Sequence, residues 1–319
     1  MPPNFYAVSY GLTLSPAALD HVRAVLSANG AQLLEEHYQP DARFAVHTVG
    51  LRLKGDDNGD RTDAGQCAAD DRDRADGGHS AGLRTLRRAL AAAPHAGMDT
   101  AVVPAQLHGP GRKLVIMDVD STLIQQEVIE LLAAHAGTEA QVAEVTAAAM
   151  RGELDFAQSL HARVATLAGL PESVLAEVGA KVKLTDGAER LVREAKAAGH
   201  AVAAVSGGFQ EILAPLARSL ELDHALANEL EIVDGVLTGR VLGEVVDRAA
   251  KARALRRWAG EEGIALQRTV AIGDGANDLD MMAEAGLSIA FNAKPAVREA
   301  ADTQINIPFL DVALHLAGI

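Results

Sequence analysis

The chain has one cysteine and no long apolar run. The first excludes a protein stabilised by internal disulfides, and the second argues against a membrane-spanning protein. Cys67 is the only cysteine among 319 residues, so no disulfide can form within the chain. No segment reaches the roughly 18 uninterrupted apolar residues of a membrane span, and the N-terminus lacks a basic region followed by an apolar run. We therefore expect an unexported protein without a membrane partner, working in a reducing cytoplasm.

Basic residues are also scarce. Lys and Arg together number 29 against 43 Asp and Glu, which gives a net charge of -14. A nucleic-acid surface needs clustered positive charge to replace counterions, so nucleic acid is not an expected partner. The chain is 49% hydrophobic, which is enough for one sizeable core and a second, smaller one. Two domains are therefore expected.

The first hundred residues alternate short strands and helices. Patterns typical of strands occupy residues 6–12, 32–38, 44–53 and 100–103, and helical patterns occupy residues 15–28 and 81–92. This β-α-β-β-α-β order resembles the ACT regulatory module, which implies an α+β ferredoxin-like domain over residues 1–108. Whether this domain binds an amino-acid effector is left open by the resemblance. Residues 55–80 are rich in Asp, Gly and Arg and are expected to form a disordered acidic loop.

A second domain is predicted over residues 109–319, after the Gly- and Pro-containing linker HGPGR. Three apolar runs, KLVIMDVD, AVAAVSGG and TVAIGDGAND, each end in polar residues, as buried parallel strands do when chemistry lies at their carboxyl ends. The helical stretches between them predict a doubly wound α/β domain with a parallel sheet. Residues from about 125 to 183 contain helical periodicity without a convincing strand, and we expect them to form a helical cap over the site.

Polar side chains at the ends of these runs predict a convergent site. They are Asp118, Asp120, Ser206, Asp274 and Asp278. Carboxylates placed together repel one another unless a cation neutralises them, and the lack of Cys or His ligands favours a hard ion such as Mg²⁺. A single DxD or SGG is more often an ordinary turn, but all these strand ends together favour a functional site.

Four segments carry a family resemblance. DVDST at 118–122, SGG at 206–208, Lys251 and GDGAND at 273–278 occur in the order of the four motifs of the haloacid dehalogenase (HAD) superfamily. EVTAAAMRGELDFAQSLHARV at 144–164 and NELEIVDGVLTG at 228–239 are similar to its phosphoserine phosphatase family. The resemblance covers the chain from about Lys113 to the C-terminus. It implies hydrolysis of O-phosphoserine to serine and phosphate, the last step of serine biosynthesis, through an aspartyl-phosphate intermediate.

The resemblance also assigns catalytic and metal-binding roles. Asp118 would attack phosphorus, and Asp120 would protonate the leaving oxygen and later activate water. Mg²⁺ would be held by the Asp118 side chain, the Asp120 backbone carbonyl and Asp274, with Asp278 in support. These roles fit the charges, because a divalent cation offsets both the carboxylates and the phosphate.

The resemblance assigns phosphate binding to the second and third motifs, which are SGG at 206–208 and Lys251. Ser206 and the backbone amides around Gly207 and Gly208 would donate to phosphate oxygens, since glycine allows close approach of the backbone. Lys251 would stabilise the negative charge that the phosphate shares with the aspartates. Only the family spacing distinguishes Lys251 from the other lysines nearby.

Substrate selection is expected in the cap. The resemblance assigns Arg163 to the substrate carboxylate, for which a planar guanidinium is suited, and Glu127 to the ammonium. Met150 and Phe156 would enclose the short carbon chain, and Asn277 would add a substrate or phosphate contact. Read without the family, Arg163 is equally well an arginine whose charged head lies in solvent or in a structural ion pair.

Other functions remain open at this stage. A phosphotransferase, or a phosphatase for another small phosphorylated amino acid, would use the same motifs. A receiver domain also gathers aspartates, a hydroxyl and a lysine around Mg²⁺, and a sensing protein could use an inactive scaffold. The second carboxylate at Asp120 and the cap insertion argue against a protein that only stores phosphate. A homodimer is a further partner that the sequence leaves undecided.

Overall fold

The computed structural model describes residues 2–53 and 81–319, so the predicted acidic loop at 55–80 lies outside the described residues. Within these ranges, strands β1 to β11 span, in order, Phe5–Gly11, Ala31–Pro40, Ala45–Leu53, Met98–Pro104, Leu114–Met117, Ala201–Phe209, His224–Val233, Val236–Leu242, Thr269–Gly273, Leu287–Phe291 and Thr303–Ile305. They form a four-stranded sheet in the order β2-β3-β1-β4 and a seven-stranded sheet in the order β11-β10-β9-β5-β6-β7-β8.

The four-stranded N-terminal sheet is antiparallel and carries two helices on one face. Helices Pro16–Ala28 and Ala81–Ala92 bury apolar residues such as Leu26 and Leu86 against it. The first helix begins where the sequence predicts, because the Ser15 hydroxyl accepts a hydrogen bond from the Ala18 amide and Pro16 occupies the first turn. The predicted β-α-β-β-α-β order is present.

The opposite face of the N-terminal sheet joins the core of the seven-stranded sheet. Val8, Phe44 and Val103 belong to one continuous buried cluster with Leu310 and Leu314 near the C-terminus. Helix Val312–Ala317 packs against β1. This contact is apolar and extensive, so the two layers stabilise each other, since apolar surface buried between them would otherwise be exposed to water.

The seven-stranded sheet is mixed. Its pairings from β11 to β7 are parallel, whereas β8 runs antiparallel to β7. The predicted α/β core with a parallel sheet is confirmed, and the β7–β8 hairpin adds one antiparallel strand at its edge. The turn contains Asp234 and Gly235, both with positive φ (51° and 74°), as a two-residue hairpin turn requires. The Asp-Gly pair in VDGV was the sequence signal for this hairpin.

The cap is an insertion of four helices after β5, spanning Val128–Ala136, Glu139–Met150, Phe156–Ala165 and Ser173–Gly179. Its two ends meet, because the Gln125 amide donates to the Lys183 carbonyl at 2.9 Å and the Thr185 amide donates to Leu123 at 3.0 Å. The amide of Leu237 in β8 donates to the Leu170 carbonyl at 2.8 Å, so the hairpin supports the cap. No helix in the described ranges combines the length and apolar character needed to cross a bilayer.

Candidate active site

The carboxyl ends of β5 and β9 bring two of the predicted aspartates together. Asp118 follows β5, Asp274 follows β9, and these strands are parallel neighbours from which the chain departs in opposite directions along the sheet. Such a reversal of strand order opens a crevice at the carboxyl edge of a sheet. The Asp118 amide donates to the Ile272 carbonyl at 2.9 Å, which fixes its backbone to β9.

Three carboxylates form a cluster that could hold a metal ion. One oxygen each of Asp118, Asp274 and Asp278 lies within 4.8 Å of the others. Burial, followed by repulsion from Asp278 and Glu127, raises the pKa of Asp274 to about 7. Burial and Asp278 likewise raise the pKa of Asp118. This charge excess and the all-oxygen donor set fit a hard divalent cation.

Lys251 supplies a positive charge within the same cluster. Its Nζ lies 2.6 Å from Asp118 Oδ1 and 2.7 Å from Asp278 Oδ1, and the lysine is fully buried. Burial lowers the pKa of Lys251, but the two carboxylates outweigh that effect and raise it above its ordinary value.

Asp247 caps the helix Arg248–Glu261 that carries the lysine, accepting from the Ala250 amide at 2.8 Å.

A wide turn after β5 orients Asp120. The Leu123 and Ile124 amides donate to carbonyls five residues earlier, and Ser121 adopts a positive φ of 57°.

The Asp120 carboxylate accepts from the Val128 amide at 2.8 Å and from the Ser206 hydroxyl at 3.0 Å. Burial, followed by the charge of Glu127, raises the pKa of Asp120 to about 6. A carboxyl with this pKa can both donate and accept a proton near neutral pH.

The SGG segment, which lies in β6 where the register with β7 is irregular, leaves no room for a side chain at either glycine. The Gly208 amide donates to the Ser206 hydroxyl at 2.7 Å, and a Cβ on Gly208 would lie 2.7 Å from Asp120 Oδ2. A Cβ on Gly207 would lie 2.7 Å from the ring of Phe156. The cap residue Phe156 therefore lies directly over this segment, and both glycines are required by close approach rather than by positive φ.

Asn228 is a buried residue that the sequence interpretation did not single out. Its amide nitrogen donates to the carbonyls of Gly207 and Gly208 at 2.9 and 3.2 Å, and its oxygen accepts from the Val246 amide at 2.8 Å. It thereby links the SGG segment of β6 to the segment that precedes the lysine-bearing helix. Asn228 opens the family-like segment NELEIVDGVLTG, so the sequence indicated the segment without indicating this role.

The cap places a guanidinium and a carboxylate near the aspartates. Arg163 is half-buried, and its Nε donates to the Ser159 carbonyl of its own helix at 3.3 Å. In the described part of the chain it forms no ion pair. Burial lowers the pKa of Arg163, while Glu127 and Asp120 attract its charge. Glu127 is exposed and accepts from the Ser121 hydroxyl at 2.7 Å.

Two residues predicted to contact the substrate, Met150 and Asn277, make no contact with the carboxylate cluster among the hydrogen bonds of the described residues. Met150 is 73% exposed at the end of its helix, so its predicted contact with the substrate stays a prediction. Asn277 folds over its own loop, since a Cβ on Gly275 would lie 2.2 Å from its Oδ1. The predicted residues that the structure does bring together are Asp118, Asp120, Phe156, Ser206, Gly207, Lys251, Asp274 and Asp278.

Comparison with known proteins identifies the class to which this fold and site belong. The family model of haloacid dehalogenase-like hydrolases matches residues 115–283, more than half of the chain, and the chain belongs to that family. Among individual proteins, it is 65% identical over 235 residues to a phosphoserine phosphatase of Streptomyces coelicolor, covering 73% of this chain and 57% of that protein. The chain thus spans little more than half the length of that relative.

Two solved structures extend the comparison. One is described as a phospho-aspartyl intermediate analogue of phosphoserine phosphatase, and it matches with a TM-score of 0.61 and 44% identity over 65% of this chain and 99% of the other. A probable phosphoserine phosphatase from Vibrio cholerae matches with a TM-score of 0.70 and 34% identity, covering 98% of this chain and 86% of that one. The second match includes the N-terminal sheet, so the two-sheet arrangement also occurs in a related protein.

Proposed function

We propose that this protein is a Mg²⁺-dependent phosphatase that hydrolyses O-phosphoserine through an aspartyl phosphate on Asp118. The observation that carries the proposal is the pair of differently held carboxylates after β5. Asp118 is ion-paired with Lys251 in the metal-binding cluster, whereas Asp120 is held by neutral donors and has a pKa of about 6. Lys251 and a divalent cation at the cluster would together offset the burial of Asp118 and favour its ionised, nucleophilic form, whereas Asp120 can carry a proton.

The first step transfers the phosphoryl group to the enzyme. A carboxylate oxygen of Asp118 attacks phosphorus, the bond between phosphorus and the serine oxygen breaks, and Asp120 gives its proton to that oxygen. Lys251 offsets the charge on Asp118 and the incoming phosphate. The Ser206 hydroxyl and the Gly208 amide lie next to Asp120, where phosphate oxygens need hydrogen-bond donors.

The second step reverses the role of Asp120. Its carboxylate takes a proton from water, the resulting oxygen nucleophile attacks phosphorus, and the bond from phosphorus to Asp118 breaks. The hydrogen bond from the Val128 amide holds the side chain in one orientation for both transfers. The side chains of Asp118 and Asp274 would hold Mg²⁺, with Asp278 in support, and the ion would neutralise phosphate charge.

Arg163 and Glu127 would recognise the amino-acid part of the substrate. A half-buried guanidinium without an ion pair in the described chain is costly unless an anion joins it, and a substrate carboxylate meets that need. Glu127 is kept near the site by Ser121 and offers the opposite charge to a substrate ammonium. Phosphoserine carries both groups beside its phosphate. The enzyme would act in the cytoplasm, consistent with a single cysteine.

Two further proposals concern the domain boundaries of the chain and the extent of the cap. The chain is divided into an N-terminal domain of residues 1–108 and a phosphatase domain of residues 109–319, because each contains its own sheet. The cap occupies about residues 125–183, whose ends are joined by backbone hydrogen bonds. All proposed catalytic groups belong to the second domain.

A substrate panel and a trapping experiment test the function together. Phosphate release should require Mg²⁺ and favour O-phosphoserine over O-phosphothreonine and a sugar phosphate. Serine and phosphate should appear in equal amounts even with an added alcohol, because a phosphotransferase would release less phosphate than serine. Acid quenching during turnover, followed by peptide mass spectrometry, should find phosphate on Asp118.

A matched pair of variants completes the test. Asp118→Asn should abolish both turnover and labelling, because an amide is a poor nucleophile. Asp155→Asn makes the same chemical change at a helix cap outside the site, where Asn caps as well as Asp, and should leave both intact. Phosphate trapped on a histidine or serine, or full turnover by Asp118→Asn, would overturn the covalent mechanism.

A further inference from the structure

A cavity of about 650 Å³ lies between the N-terminal layer and the seven-stranded layer, away from the carboxylate cluster. One wall is formed by helix Ala81–Ala92 and β4, and the other by helices Leu279–Glu284 and Pro295–Ala300 together with the start of β11. Its volume lies in the range of pockets that bind small organic molecules. The proposed phosphatase reaction makes no use of it.

Three acidic residues line this cavity; Glu299 is exposed to solvent, and the other two accept hydrogen bonds from protein donors. Asp302 is ion-paired with Arg87 and accepts from the Ser288 amide at 3.0 Å. Asp99 accepts from the Asn306 amide at 3.1 Å and from the Asn306 side chain at 3.0 Å. Hydrogen bonds of this kind use up the acceptor capacity of the carboxylates and disperse their charge.

Three of the arginines that line the cavity are less fully paired in the described part of the chain. Arg87 donates through Nε to the Val102 carbonyl at 3.0 Å and through Nη1 to Asp302, but its buried Nη2 has no hydrogen-bond partner. Arg88 and Arg298 also line the cavity, and in the described ranges neither forms an ion pair. An unpaired donor on a buried, charged group is unfavourable, and the positive charge of the three arginines together favours an anion in the cavity.

Much of the remaining lining is apolar on both sides, although Thr100, Ser288, Thr303 and Gln304 add polar groups. Leu90 and Met98 contribute from the N-terminal layer, and Met282 and Ala285 contribute from the seven-stranded layer. An inorganic anion would leave these walls unused. We propose that the cavity binds a small organic acid, with its carboxylate toward the arginines and its apolar body between the two methionines. Such a ligand would contact both layers at once.

The methionines provide a direct readout of binding. The chain has six methionines. With methyl-labelled methionine in the full chain, hexanoate should shift the NMR signals of Met98 and Met282, which line the cavity, and leave those of Met117 and Met150 in place. Hexanamide has the same shape without the charge and should bind about ten- to a hundredfold more weakly, as expected for loss of a charged hydrogen bond.

Two substitutions with opposite effects separate binding from structural damage. Arg298→Gln removes an exposed cation and should weaken hexanoate binding. Asp302→Asn removes the anion that competes for Arg87 and should strengthen it, whereas a damaged cavity would bind less well in both variants. Arg163→Ala should bind hexanoate as the unmodified chain does. Equal binding of hexanoate and hexanamide, shifts at Met117 instead of Met98 and Met282, or weaker binding by both cavity variants would overturn the proposal.

Discussion

The ammonium of Lys251 lies 2.6 Å from the Asp118 carboxylate, although 133 positions separate the two residues in the sequence. Lys251 also contacts Asp278 at 2.7 Å, and no part of its side chain reaches solvent. A buried carboxylate pair is tolerated only with such a counter-charge. The lysine should therefore stabilise the folded protein as well as the reaction.

Replacing this lysine should destabilise the folded state. Lys251→Met keeps the length of the side chain but leaves two buried carboxylates without their cation, and it should lower the free energy of unfolding by about 3–5 kcal/mol. Urea denaturation without Mg²⁺ measures this loss. Arg253→Met, on the same helix but with an exposed ion pair to Glu244, should cost about 1 kcal/mol or less. Equal losses in the two variants would show that Lys251 has no special role in stability.

Asp120→Asn should separate the two chemical steps. With phosphoserine, loss of the acid should lower kcat by about 10²–10⁴-fold. p-Nitrophenyl phosphate has a leaving group that departs without a proton, so Asp118 should still be phosphorylated, while the missing base slows hydrolysis of the intermediate. Stopped-flow absorbance should show a burst of nitrophenolate equal to the enzyme concentration. Equal impairment on both substrates, without a burst, would contradict the acid–base role.

Arg163→Ala should affect only substrates that carry a carboxylate. The lost charged contact is worth about 1.5–3 kcal/mol, so kcat/KM for phosphoserine should fall roughly ten- to a hundredfold or more. Phosphoethanolamine lacks the carboxylate and should be hydrolysed with unchanged kcat/KM, and Arg163→Lys should recover part of the loss. Arg151→Ala, an exposed cap arginine paired with Glu153, serves as the control. A similar loss on phosphoethanolamine would instead indicate that Arg163 positions the cap.

His108 should make stability depend on pH. Its ring stacks on Tyr6 with centroids 4.4 Å apart, and burial lowers the pKa of His108 to about 4. The unfolded chain takes up this proton near pH 6.5, so folding stability is complete above pH 6.5 and falls as the pH drops toward 4. His108→Phe keeps an aromatic ring, and its free energy of unfolding should vary less with pH in this window, by up to about 1.4 kcal/mol per pH unit.

Urea midpoints at several pH values between 4 and 7.5 test this dependence. His161 is exposed on the cap, and His161→Gln should leave the slope unchanged. Curves for the unmodified chain and His108→Phe that stay parallel across this window would contradict the prediction.

A chain beginning at Gly109 should keep its chemistry but lose stability. Every proposed catalytic group lies after Arg112, yet the truncation uncovers apolar residues such as Leu310 and Leu314 that share a core with the N-terminal sheet. Its Tm should fall, while phosphoserine hydrolysis persists at a temperature where the protein stays folded. Circular dichroism must establish folding before activity is measured. A soluble, folded truncation without activity at saturating phosphoserine and Mg²⁺ would disprove catalytic independence.

Local sequence patterns gave most of the secondary structure. The Ser15-Pro16 helix start, the helix Ala81–Ala92 and the apolar strands before Asp118 and Asp274 follow from capping chemistry and runs of buried residues. The β7–β8 hairpin was missed even though Asp234-Gly235 is a strong turn signal. Apolar and polar residues do not alternate cleanly along β7 and β8. Apolar side chains such as Val233 and Val236 are exposed, so burial does not follow residue type in these strands.

The sequence by itself determined that aspartates at the ends of buried parallel strands would meet, since the carboxyl ends of such strands share one edge of the sheet. It did not determine how each carboxylate would be held. Only the tertiary structure separates Asp118, paired with Lys251, from Asp120, held by Ser206 and a backbone amide, because burial and hydrogen-bond partners come from distant segments. The role of Asn228, the exposure of Met150 and the interlayer cavity were likewise decided by packing between parts of the chain that no local pattern relates.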